Sequence, residues 1–250
     1  MSPAPQPGLS LEALRTRIRA IEVPSPYRTV GFGAATVDAA LPWGGLPLGC
    51  LHEAAGTPGD AGAALGFATA LVTRLQKSTA GTRPVLWCLR GDTEHEIGNP
   101  YAPGLRSFGL SPKHVLLVRA PATAQVLWAM EEGLRAGGLA AVVGEVEDVD
   151  FSTSRRLQLA AEAGGVTALL VVPELAAVSG AVTRWQLSSI GGAEARPLHP
   201  RWHVELTHCR GGTPAAWELE WNHATYDFAV AAGVRDRSLE PRHERAQAAG

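Results

Sequence analysis

From residue 30 onward the chain alternates short, continuous apolar runs with longer stretches of helical periodicity. The runs predict strands over 51–55, 85–89, 115–118, 140–146 and 168–173. VLWCL, VLLV, AAVV and ALLVV lack a polar alternate position, as expected of strands buried on both faces of a parallel sheet. Between them lie helical patterns. Residues 61–77 are small and apolar. In 122–136, Val126, Leu127, Met130 and Leu134 share one face, and in 152–163 Leu157, Leu159 and Ala160 point inward. Strands alternating with helices of this length imply βαβ units. The last third changes period. In 202–207 Trp202, Val204 and Leu206 alternate with polar residues, and in 216–221 Trp217, Leu219 and Trp221 do so, with the turn RGGTP between them. The expected architecture is α/β: a mostly parallel core sheet flanked by helices, with a C-terminal antiparallel extension.

The ends read differently. Leu11, Leu14, Ile18 and Ile21 recur at spacings of three and four and predict an N-terminal helix, which Pro24-Ser25-Pro26 stops. Its apolar face is the candidate for self-association, giving a homo-oligomer, or for packing on its own domain; Arg15, Arg17 and Arg19 form its wet side. The stretch 235–250 is polar and interrupted by proline, too poor in apolar residues to build a core. The expected division is a tail, helix and linker over 1–29, a core domain over 30–234 and a flexible tail over 235–250.

Composition narrows the class. Of 250 residues, 46% are hydrophobic and 18% charged, with a formal net charge of −2, so the chain is globular and does not advertise nucleic acid through bulk charge. No run approaches a membrane span and no secretory signal is visible. Cys50, Cys88 and Cys209 show neither a metal nor a disulfide spacing, and a cytoplasmic location is expected. Lys77 and Lys113 are the only lysines.

Residues 30–56, VGFGAATVDAALPWGGLPLGCLHEAAG, carry the most information. Val37, Asp38, Leu41, Gly44, Gly45, Leu46, Pro47, Gly49, Glu53 and Gly56 resemble the entry to the RecA ATPase core, in which such a segment leads into the first core strand and then the phosphate loop. A phosphate loop reads GxxxxGK[ST]: its backbone N–H groups cradle phosphates, its lysine reaches the β and γ phosphates and its hydroxyl binds Mg²⁺. Here the remnant loop offers Gly56, Thr57, Gly59 and Gly62, but Ala63 stands at the lysine position, Ala64 at the hydroxyl position, and Asp60 adds negative charge. Other positions that the resemblance marks as catalytic also differ. Arg90-Gly91 ends the strand that leads to the water-activating glutamate, although Asp92, Glu94 and Glu96 follow. Gly144 stands for the magnesium-binding Asp, and Glu145, one residue late, is expected on the other side of the strand. Pro173-Glu174 replaces the Asn-Gln sensor. The expectation is a RecA-like domain retired from ATP hydrolysis, with no cofactor and no metal.

A RecA-like core without a working phosphate loop is similar to the ImuA family. The likeness spans about residues 30–232 and rests on LPLGCLHEAAG, PVLWCLR, FGLSPKHVLLVRA, VLWAMEEGLRAGGLAAVVGEV, SRRLQLAAEA and WELEWNHATYDF. That resemblance implies an accessory role in SOS-induced, error-prone translesion DNA synthesis. The implied partners are ImuB, an inactive relative of Y-family polymerases, and an error-prone polymerase of the replicative type, with RecA a further candidate. Two other classes stand beside it: a DNA-dependent ATPase of the RecA class, against which Ala63 speaks, and a damage-induced inhibitor of cell division acting on FtsZ.

Candidate surfaces follow. In RecA, loops after the core strands bind single-stranded DNA. The corresponding stretch 174–201 holds Arg184, Trp185, Arg196 and Arg201, a set that suits phosphate neutralisation and base stacking. The alternative is a solvated loop with Trp185 packed on its own domain. Arg155 and Arg156 open a helix and are expected in a solvated or salt-bridged role. His52 is expected to be a satisfied core group, Cys88 a small hydrophobe, and Trp202, Trp217 and Trp221 core residues.

Overall fold

The computed structural model describes residues 27–79, 83–91, 100–191 and 199–231. The five expected parallel strands form as β3 (Leu51–Gly56), β4 (Val85–Arg90), β5 (Val115–Ala120), β6 (Ala141–Glu145) and β7 (Thr167–Val172). They are preceded by a two-stranded ribbon of β1 (Thr29–Val30) and β2 (Leu46–Pro47), which brackets the short helix α1 (Ala35–Ala40). Strand β8 (Thr183–Ser189) adds parallel to β3, and β9 (Arg201–Cys209), β10 (Ala215–Asn222) and β11 (Asp227–Val230) extend the sheet antiparallel from it. The nine-stranded order is β11-β10-β9-β8-β3-β7-β6-β4-β5.

Two findings differ from the periodicity. The stretch 174–201, read as loop, contains β8, whose Thr183, Trp185 and Leu187 are buried while Arg184, Gln186 and Ser188 face the other way. The run VLLV, read as buried on both faces, forms the edge strand β5, where Leu116 is 52% and Leu117 40% exposed. An apolar run says that a strand is favoured but not whether a neighbour covers it.

Helix α2 (Ala61–Ser78) packs on one face of the sheet, and α4 (Thr123–Ala136) and α5 (Phe151–Gly164) on the other. The polar side chains of α2 all follow Ala68, and Phe67, Leu71 and Leu75 join an aromatic core of Phe32, Trp185, Trp202, Trp221 and Phe228. Each such side chain contributes about 1.5–3 kcal/mol by burial. The expectation that Trp202 and Trp221 are core holds, at 2% and 0% exposure, and Trp217 is partly buried. On the second face Val126, Met130 and Leu134 meet Leu157 and Ala160, whereas Leu159, expected inward, lies on the outer side of α5 and is exposed. Asp150 caps α5 by accepting from the Thr153 N–H, and Gly165 closes it in the left-handed conformation. Arg156 pairs with Glu131, the salt-bridged role expected of one of the two arginines. Helix α3 (Ala102–Ser107), a one-and-a-half-turn segment between β4 and β5, carries no periodicity long enough to be read. Among the described residues no helix is long and apolar enough to cross a membrane.

Candidate functional site

The carboxyl ends of β3, β6 and β4 and the first turns of α2 converge at one crest of the sheet, the place where open α/β sheets bind ligands. Strand β3 ends at Gly56, and the chain reverses through Thr57-Pro58-Gly59-Asp60 into α2. The Asp60 N–H donates to the Thr57 carbonyl at 2.8 Å, and Gly59 has φ +82. Proline second and a left-handed glycine third mark a type II turn. The Thr57 N–H donates to the Leu187 carbonyl of β8 at 2.8 Å. Pro58 has no N–H. Three of the four turn residues therefore have no backbone donor to offer a ligand. Gly56 is required by close approach: a Cβ there would lie 2.2 Å from the Asp60 carbonyl oxygen.

The Asp60 side chain does not cap α2. It accepts from the Ser189 N–H at 2.5 Å and from the Ser189 hydroxyl at 2.9 Å, which ties the turn to the end of β8. Ala63 and Ala64 are 1% and 0% exposed and belong to the core. Lys77 lies at the far end of α2 with its ammonium 3.8 Å above the Tyr226 ring.

Below the turn, β3 carries two buried polar groups. His52 is held on both ring nitrogens: Nδ1 lies 2.7 Å from Thr183 Oγ1 and Nε2 3.0 Å from the Pro47 carbonyl. The Trp185 indole N–H also donates to Thr183 Oγ1. Since a carbonyl can only accept, Nε2 carries the proton and Nδ1 accepts from the Thr183 hydroxyl. Burial pushes the His52 pKa down to about 4, so the ring is neutral. This is the satisfied core histidine that the sequence suggested. On the opposite face Glu53 pairs with Arg184 at 2.9 Å and accepts from the Ser179 hydroxyl.

Glu145 is the third buried polar group at this crest, and its placement corrects the sequence reading. Gly144, not Glu145, faces away from α2: a Cβ at Gly144 would lie 2.1 Å from Met130 Sδ on α4. Glu145 shares the face of Ala141 and Val143 and lines a cavity of about 360 Å³ beside the first three turns of α2. It is 6% exposed, and its Oε1 accepts from the Trp87 indole N–H at 2.5 Å. Among the described residues that is its one hydrogen bond. Burial raises the Glu145 pKa above the ordinary carboxylate value, and the Trp87 hydrogen bond acts against that rise. Tyr101, Phe108 and Trp202 complete the aromatic lining with Trp87, and Gly62 stands at the rim. No pattern in the sequence joined these residues, because they come from five separate segments.

Of the residues proposed for DNA contact, Arg184, Trp185 and Arg201 are described. The Trp185 ring is fully buried, so stacking on a base would require opening the core; packing on its own domain, the alternative reading, describes its position. Arg184 is engaged by Glu53 and the Ala176 carbonyl. Arg201 lies on β9 within 3.7 Å of Glu218 and 3.9 Å of Glu220. Arg196 lies outside the described residues, as do Leu11, Leu14, Ile18, Ile21, Asp92, Glu94 and Glu96. Of the remnant loop, Gly56, Thr57 and Gly59 form the turn and Gly62 the cavity rim. All three cysteines are buried. Burial pushes the Cys88 thiol up to about 12, and Cys50 and Cys209 up to about 11, so each is inert as a nucleophile. Among the described residues no cluster of His, Cys, Asp and Glu could hold a metal ion.

No family model matches the chain. The named relatives are more informative. Protein ImuA from each of two strains of Caulobacter vibrioides is 32% identical over 236 residues, an overlap that takes in 86% of this chain and 93% of the relative. Identity at that level over nearly the whole of both chains places this chain in the ImuA family.

Proposed function

We propose that this chain is a non-catalytic, RecA-like accessory protein of damage-induced, error-prone translesion DNA synthesis. It acts with an ImuB-type inactive polymerase relative and an error-prone polymerase of the replicative type. Membership of the ImuA family supports the mutagenesis role. The observation that carries the non-catalytic half is the state of the first turn of α2. Ala63 and Ala64 lie inside the core where a nucleotide-binding helix would present an ammonium and a hydroxyl to phosphates and Mg²⁺. The turn before them commits two of its three N–H groups, to Leu187 and Thr57, and the Asp60 carboxylate would oppose a triphosphate. These residues do not fit a nucleotide–magnesium group, and no hydrolytic step is derived for them.

The partner half is tested by co-expressing the full chain with the ImuB-type protein of the same genome and measuring the mass of the purified species in solution. A stable complex of defined stoichiometry is expected. Two proteins that elute separately at micromolar concentration would contradict the adaptor role.

A further inference from the structure

The cavity beside α2 has a chemistry distinct from nucleotide binding. Its walls include Trp87, Tyr101, Phe108 and Trp202. Its one charged side chain among the described residues is Glu145, which uses one oxygen for the Trp87 indole and leaves the other without a partner. The Thr69 hydroxyl donates to the Leu65 carbonyl and the Ser189 hydroxyl to Asp60, so neither competes for Glu145. The side chain is 6% exposed and opens on the cavity, where a cation or donor can reach the second oxygen. A metal ion would need several oxygen ligands, and among the described residues no such group is present. A strongly hydrated ammonium would exchange its water shell for a single carboxylate. A guanidinium fits better: it is planar, weakly hydrated, stacks on aromatic faces and bonds a carboxylate through adjacent N–H groups. We infer that this cavity receives an alkyl guanidinium, with the planar head on Glu145 and the apolar stem along Phe108 and Trp202. The group is an arginine side chain presented by a protein or a small free guanidine, and the two sources share this chemistry.

The test is a titration of the full chain, labelled with ¹⁵N, with butylguanidine, following the indole N–H resonance of Trp87, which the Trp87→Phe variant assigns. N-butylurea serves as the neutral isostere. The expected result is a saturable shift with butylguanidine and a roughly tenfold weaker response to butylurea. Glu145→Gln keeps an acceptor for Trp87 and is expected to abolish the difference between the two probes. Gly62→Leu provides a second variant, since nothing lies within 4 Å of a Cβ there; it is expected to block entry while leaving the fold intact. Tighter binding of a capped arginine peptide than of butylguanidine would assign the site to a protein partner, and the reverse order to a small guanidine. The absence of a saturable shift, an equal response to butylurea, or unchanged discrimination in Glu145→Gln would overturn the proposal. Loss of the ImuB-type complex would not move these readouts, and the two proposals fail separately.

Discussion

The turn Thr57–Asp60 and the cavity behind it lie on either side of the first turn of α2, and they treat their polar groups in opposite ways. In the turn the Thr57 N–H donates to Leu187, the Asp60 N–H donates to Thr57, and the Asp60 carboxylate accepts from Ser189. In the cavity a buried carboxylate keeps half its acceptor capacity. His52 and Glu145 make the same contrast in titratable groups. Both are buried, but His52 has a partner on each nitrogen and Glu145 has one partner on one oxygen. A polar group that folding has fully paired belongs to stability. One left half-paired in an open cavity marks where a further molecule can contribute.

Substitutions that reopen the turn have the largest expected effect. Ala63→Lys returns the missing lysine, but into a position that is 1% exposed and packed in the core. It is expected to cost about 3 kcal/mol or more by overpacking and burial of charge, read as a lower denaturation midpoint, without creating ATP turnover. Next comes pH. His52 has a folded pKa depressed to about 4 from 6.5, so the unfolded chain takes up the proton first. The stability this group contributes is present above pH 6.5 and is lost as pH falls through 4. The shift corresponds to about 3 kcal/mol. Urea midpoints at pH 7 and pH 4.5 check it, and the fall should shrink in His52→Gln.

Asp60→Ala removes two hydrogen bonds to Ser189 and is expected to lower stability by about 1–2 kcal/mol, a value limited by the exposure of that end of β8. Glu145→Gln lies at the small end and has the opposite sign. A raised folded pKa means that stability falls as pH rises through it, so replacing the acid is expected to stabilise the protein at neutral pH. The same urea series measures it. A loss of stability in Glu145→Gln would show that the carboxylate is better paired than its single hydrogen bond indicates.

How far the sequence reached depended on the kind of information each feature needs. Five of the six parallel strands and the three long helices were legible because burial writes itself into continuous apolar runs and three-to-four spacings. The exposure of Leu116 and Leu117 was not, because an edge is a property of strand order. Strand β8 carries a signal of its own: Thr183, Trp185 and Leu187 alternate with Arg184, Gln186 and Ser188, a period of two inside the stretch that the RecA resemblance marks as a DNA-binding loop. The side on which Glu145 points follows from parity with Ala141 and Val143, whereas the RecA resemblance alone would put Gly144 on that side. Gly144 has a packing reason instead, the approach of Met130. The chemistry of the turn was legible from Asp60, Ala63 and Ala64, whereas the cavity was not, since only folding brings Trp87, Phe108, Glu145 and Trp202 together.

The most direct measurement is a titration of the purified full chain with ATP and Mg²⁺, with and without single-stranded DNA, following nucleotide binding and phosphate release together. The account predicts neither binding nor turnover above a denatured-protein control under any of these conditions. Saturable turnover that survives repurification would contradict it, and would return Glu145 and the acidic residues after Arg90 to the position of catalytic groups.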